Sequence, residues 1–267
     1  MSTLTQGAGD ALTIVRRNLI KLKRVPDLIV FATLSPIMFV LLFVYVFGSA
    51  ITTPGTSYAE FLLPGIYAQT VIFGASITGS SLAEDLQKGL IDRFRSLPMA
   101  RSAVLVGRTV SDVALNVVTA TVMSITGLVV GWRIRSSFLD AVVGYLLLLL
   151  FAFALSWVMA TVGMLVRTPE VFNNASFIVI FPLTFIANTF VPTDGFPKVL
   201  KAIANWNPVS AITQAARERF GNVPPGQQVP DAWPLQHPTL YTLIWVAGLL
   251  VVFVPLSVRM YLRTALR

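Results

Sequence analysis

The chain has 267 residues, of which 55% are hydrophobic and 12% charged, against roughly 25% charged in an ordinary soluble domain. With a mean hydropathy of +0.75, this composition excludes both a disordered chain and a soluble enzyme, whose surface could not keep so many apolar residues out of water. A net charge of +8 would point a soluble protein toward nucleic acid, but here the basic residues gather at the ends of apolar runs and no nucleic-acid partner is expected; cysteine is absent, so no disulfide framework or thiolate chemistry is available.

Residues 1–27 are too basic for a cleaved signal peptide and lack its apolar core. Leu12, Val15, Leu19 and Leu22 recur at helical spacing, with Arg17, Lys21 and Arg24 on another face, which predicts an interfacial helix at the acyl-chain and headgroup boundary, broken by Pro26. Six uncharged stretches then follow: Leu28 to Gly48, Phe61 to Ala83, Val113 to Gly131, Ala141 to Val166, Val171 to Val191, and Leu240 to Val258. The expected fold is all-α, a polytopic membrane protein with six transmembrane helices forming a single domain over 1–267. An even number of spans puts both termini on one side, and that side carries 14 of the 20 Lys and Arg residues. The positive-inside rule therefore places both termini in the cytoplasm of a cell whose plasma membrane the chain crosses.

Span two carries Gln69, Phe73, Ser76 and Ser80 along one face, and span five repeats the arrangement with Phe177, Phe181, Thr184, Phe185 and Asn188. Aromatic walls with a few polar groups suit an amphipathic small-molecule substrate, although Ser and Thr also serve as interhelical glue. Between spans two and three, Leu86, Leu90, Phe94 and Leu97 share one face of an expected helix over 84–98, with Glu84, Lys88 and Asp92 making i,i+4 pairs on another; Gly89 reads as a bend or close-contact point and Pro98 as the end. The segment 192–238 is the one substantial extramembrane stretch. It offers an apolar stripe at Phe196, Leu200 and Ile203, then Asn207 and Pro208 as N-cap and first residue of a second amphipathic helix ending near Gly221, both expected at the outer leaflet.

Catalytic chemistry is missing. No GxxxxGK[ST] loop exists, so the chain cannot hold a nucleotide in a Walker site. His237 is the only histidine, which leaves no His-based metal site or dyad. Asp27, Glu60, Glu84, Asp85, Asp112, Asp140 and Glu170 all fall at or beyond predicted span ends, against proton-driven transport and intramembrane hydrolysis. No catalytic residue, metal or cofactor is expected in this chain. A polytopic protein of this kind needs an energy source from outside.

The run Leu63-Pro64-Gly65, then Ala83-Glu84-Asp85 through Lys88-Gly89, Ile91-Asp92-Arg93-Phe94-Arg95-Ser96-Leu97-Pro98 and Arg101, resembles the type-2 ABC transporter permeases, specifically their actinobacterial daunorubicin-resistance branch for drug export. The resemblance extends to Asn205-Trp206-Asn207-Pro208 and covers nearly the whole chain. It implies a six-span subunit that dimerises with a second permease subunit, alike or different, and binds two copies of a cytosolic ABC ATPase carrying ATP and Mg2+. It also implies that residues 84–98 form the coupling helix on that ATPase and that the N-terminal helix connects to it. The expected function is export of hydrophobic or amphipathic small molecules such as drugs and antibiotics. Permeation of lipids or lipid-linked glycans, and a membrane anchor or sensor without transport, remain alternatives.

Overall fold

The computed structural model describes residues 13, 15, 16, 20, 24, 26–51, 53, 55–89, 103–223 and 231–263. Helix α1 (Pro26–Leu42) runs directly into a π-helical turn (Phe43–Phe47). Then come α2 (Tyr58–Gln87), α3 (Ala103–Val129), α4 (Phe138–Leu165), α5 (Pro169–Phe185), α6 (Lys198–Trp206), α7 (Pro208–Phe220), α8 (Trp233–Gln236) and α9 (Pro238–Arg263), with no strand among the described residues. Local chemistry sets the starts. Ser57, Ser137 and Thr168 accept hydrogen bonds from the backbone N–H three residues on, and Pro169 fills the first turn of α5. Asn207 caps α7 through the Val209 N–H at 2.8 Å, and Gly221 ends it at φ +70°, a conformation that costs any other residue.

Helix α2 is the centre of the bundle. Every residue from Tyr58 to Ile72 is buried, because α3, α4, α5 and α7 surround it. It crosses α4 at two glycines: a Cβ on Gly163 would strike the Gly79 carbonyl, and one on Gly79 would strike the Phe172 ring and the Met159 carbonyl. Without a hydrophobic force between helices in lipid, such close backbone approach supplies the packing energy. Trp157 on α4 then joins Leu82, Leu105, Ala160 and Tyr261 in a smaller cluster that fastens α2, α3, α4 and α9 together.

Several expected boundaries move. Among the described residues, α2, α3, α4 and α9 are long and apolar enough to cross a membrane, whereas the stretch expected as span five stops at Phe185 after 17 residues and span one becomes an α-helix with a π-helical end. Helices α2 and α3 overrun their expected limits and take Glu60, Glu84, Asp85, Arg108 and Asp112 inside them. The charges are tolerated because they are bonded: Glu60 to Arg135 at 2.7 Å, Asp85 to Arg108, Asp112 to the Thr78 hydroxyl. The second amphipathic helix expected on the outer leaflet is instead interior: α7 is buried from Val209 through Arg217, between α2, α4 and α9. Its small residues Ala211, Ala215 and Ala216 let it in. Helix α6 does present apolar Val199, Ile203 and Trp206 outward.

The glycine crossing gives a direct test. Gly163→Val should lower the melting temperature of the detergent-extracted protein, by overpacking worth about 1 to 3 kcal/mol, while Gly248→Ala, where a Cβ meets nothing within 4 Å, should leave it unchanged.

Candidate functional site

The site begins where α5 stops. Pro182 lacks the N–H that would bond Ile178, and beyond Phe185 the backbone leaves the helix, so its polar groups need partners elsewhere. Helix α7 and its cap supply them. The Asn207 amide donates to the Leu183 carbonyl at 2.7 Å, and the Ser210 hydroxyl accepts the Asn188 N–H at 3.1 Å. Arg217 donates to the Asn188 carbonyl at 2.6 Å, to Thr189 at 3.3 Å, and through Nε to Phe61 on α2 at 2.9 Å. The guanidinium, 2% exposed, lies 3.8 Å above the Phe61 ring. Burial pulls its pKa below the ordinary arginine value, and it still remains charged at neutral pH. Gly65 completes the arrangement, because a Cβ there would overlap the Thr189 backbone. The Tyr58 hydroxyl donates to the Phe190 carbonyl at 2.9 Å.

This web fixes a ladder of rings. Phe177, Phe181 and Phe185 stand one turn apart on α5, with centroids 5.1 and 4.1 Å apart, and Phe185 continues to Phe190 at 4.8 Å and thence to Phe43 at 4.6 Å. Beside the ladder lies a cavity of about 390 Å³, within the size range of small-molecule sites. Phe177, Phe181 and Phe185 form one wall; Gln69, Thr70, Phe73, Gly74 and Ile77 of α2 form the next; Ser35, Pro36 and Phe39 of α1 and Leu115, Asn116 and Thr119 of α3 close it. It is an aromatic and aliphatic pocket with a few amides and hydroxyls. Phe177 and Phe181 remain 53% and 39% exposed, so the pocket opens on a side that none of the described residues covers.

Of the residues expected along the pathway, Gln69, Phe73, Phe177, Phe181 and Phe185 meet in this cavity. Four others do not line it. Ser76 and Ser80 lie off the lining, and the buried Ser76 hydroxyl has no partner among the described residues. Thr184 is buried and bonds back to the Ile180 and Phe181 carbonyls, as a helix-embedded Thr does when no other acceptor is near. Asn188 sits past the helix end, held by Ser210 and Arg217. The contributions of α1 and α3, and the role of Arg217, carry no periodic signal in sequence; an arginine set among Ala211, Ala215 and Ala216 was the available hint.

At the other end of α2 the expected coupling helix is interrupted. Helix α2 stops at Gln87, Lys88 caps it, and Gly89 turns left-handed at φ +66°, so Gly89 is a turn and not a position inside a helix; among the described residues nothing would meet a Cβ there within 4 Å. Glu84 pairs with Lys88 and raises the lysine's pKa. Leu86 belongs to α2 and, half-buried, packs against the Trp157 cluster. Leu90, Asp92, Arg93, Phe94, Arg95 and Leu97 lie outside the described residues, as does most of 1–25.

Residues 10–220 match the ABC-2 type transporter family. The chain is 35% identical, over 94% of its length and 85% of the relative's, to the daunorubicin resistance ABC transporter permease protein of Streptomyces coeruleorubidus. It is 26% identical, over 85% of its length and 79% of the relative's, to an ABC transporter permease of Mycobacterium tuberculosis named for doxorubicin resistance. A transport permease of Cyanophora paradoxa shares 23% identity over 78% of this chain and 73% of its own.

Removing the guanidinium should be costly. Arg217→Met leaves three carbonyl contacts without their donor, and Arg217→Lys cannot restore them because one ammonium lacks the planar fork. Both variants should lose several kcal/mol, about 3 or more by the measure of broken buried charge interactions, read as lower yield of folded protein and a lower melting temperature.

Proposed function

The chain belongs to the ABC-2 type transporter family, and on that premise we propose that it is the six-span permease subunit of an exporter for hydrophobic or amphipathic small molecules, drugs among them. The observation that carries this reading is the cavity of about 390 Å³ walled by Phe73, Phe177, Phe181 and Phe185. Stacked rings offer apolar area without demanding one shape, and Gln69, Asn116 and Thr119 supply a few polar contacts. The open side of the cavity suits closure by a second permease subunit. Resistance to daunorubicin and doxorubicin, for which two relatives are named, fits a planar amphipathic substrate.

In this reading α1 and α5, with the turns that prolong them, complete the six crossings, and both termini face the cytoplasm, as the basic-residue bias favours. Two cytosolic ATPase subunits hold ATP and Mg2+ and dock on residues 84–98. The left-handed turn at Gly89 ends α2, and the sequence spacing of Leu90, Phe94 and Leu97 is what supports a docking role for this segment. Closure of the ATPases on ATP then moves α2, whose packing against α3, α4 and α5 carries the displacement to the cavity.

Two measurements test this. Phe181→Ala removes one ring from the wall, worth about 1 to 3 kcal/mol of contact with a desolvated substrate. It should reorder the export of several unrelated compounds while leaving ATPase docking and basal hydrolysis intact. Uniform loss of all substrates together with a lower melting temperature would show a packing role only.

For coupling, Leu90→Asp or Phe94→Asp should abolish co-purification of the ATPase without preventing membrane insertion, because a docked face would then bury an unpaired charge. Unchanged transport by both variants would exclude docking through this segment.

A further inference from the structure

Directly below the cavity, toward the Gln87 end of α2, lies a carboxylate that the transport reading leaves unused. Asp112 shares one face of α3 with Leu115, Asn116 and Thr119, at i, i+3, i+4 and i+7, and those three line the cavity. The Asn116 amide rests on Gly74, where a Cβ would strike its oxygen, so the two helices meet closely at the cavity floor. One turn lower, the Thr78 hydroxyl donates to Asp112. One turn lower again on α3, and two on α2, the Arg108 guanidinium engages Asp85 in an ion pair whose side chains are 14% and 15% exposed. Among the described residues Asp112 has no ion pair, and two carboxylates face one guanidinium, leaving one negative charge in excess. Asp112 keeps part of its surface open, and none of the described residues lining the cavity is charged.

A carboxylate beside a low-dielectric pocket attracts a cation, and ring faces favour the same sign of charge. We infer that Asp112 is the counter-ion of the transported molecule: the cavity selects lipophilic cations, whose rings lie against Phe73, Phe177 and Phe181 while the positive charge sits at the Asp112 carboxylate. This rests on the pathway reading of the cavity and adds to it a charge requirement.

Tetraphenylphosphonium and tetraphenylborate have nearly the same shape and opposite charge. Equilibrium dialysis of both radiolabelled ions against the full-length chain in nanodiscs, with empty discs subtracted, should show preference for the phosphonium. Asp112→Asn keeps the side-chain shape and an acceptor for Thr78. It should weaken phosphonium binding by roughly tenfold or more, in the range of a lost buried charge contact, and leave borate binding unchanged or stronger. Asp112→Glu should recover part of the preference, and Phe181→Ala should weaken both ions. Equal change of both ions in Asp112→Asn, or none in the phosphonium, would overturn the inference and leave the pathway reading standing. Failure of the wild-type chain to bind either ion would remove both.

Discussion

A single guanidinium decides whether the chain can leave its helix inside this bundle. Past Phe185 the backbone runs irregularly between α2 and α7, and each carbonyl there needs a donor that neither lipid nor an apolar core can give. Arg217 serves Asn188 and Thr189 on that segment and Phe61 on α2, so one side chain joins three parts of the fold. The surrounding residues are chosen around it: Gly65 makes room for the Thr189 backbone, and the Phe61 ring faces the cation. The position of α5 follows from this knot, and with it the register of Phe177, Phe181 and Phe185 against α2.

The opposite half of α2 is organised by charge. Going from the cavity toward Gln87, its contacts with α3 become steadily more polar, from Gly74 with Asn116, through Thr78 with Asp112, to Asp85 with Arg108. On α3 each step is one helical turn, while on α2 the first step is one turn and the second two, the long Arg108 side chain making up the difference along the seam between the two antiparallel helices. A polar seam of this sort holds only in one alignment, because sliding it by a turn would oppose unlike partners and bury groups without bonds. It ends at the Lys88 cap and the Gly89 turn, where residues 90–98 begin.

Much of this was legible in sequence where a local rule governs. Apolar runs located α2, α4 and α9, and the Asn207-Pro208 pair and Gly221 marked both ends of α7. The aromatic spacing on α5 and the Gln69–Phe73 face of α2 found two walls of the cavity. What escaped was set by contacts between distant segments. Periodicity could not tell that Thr184 bonds back into its own helix, that Asn188 sits past the helix end, that Leu86 packs against the Trp157 cluster, or that α1 and α3 supply the remaining walls. That Asp112 lies within α3 and bonds Thr78, 34 residues earlier, was hidden for the same reason.

The bond from Arg217 to Phe61 spans 156 residues of chain, and a ribosome makes those residues in order. When α2 first enters the bilayer, the segment that will embrace its Phe61 end has not been synthesised, and nearly every surface that α2 will bury still faces lipid or the insertion machinery. Assembly of the central helix is thus postponed until α7 arrives and slots in from the side, carrying its cation with it. For that interval the nascent subunit offers an unfinished groove to the cell's proteases and chaperones. Weakening the knot would accordingly be felt first as fewer surviving subunits, well before any change in what a completed one can move.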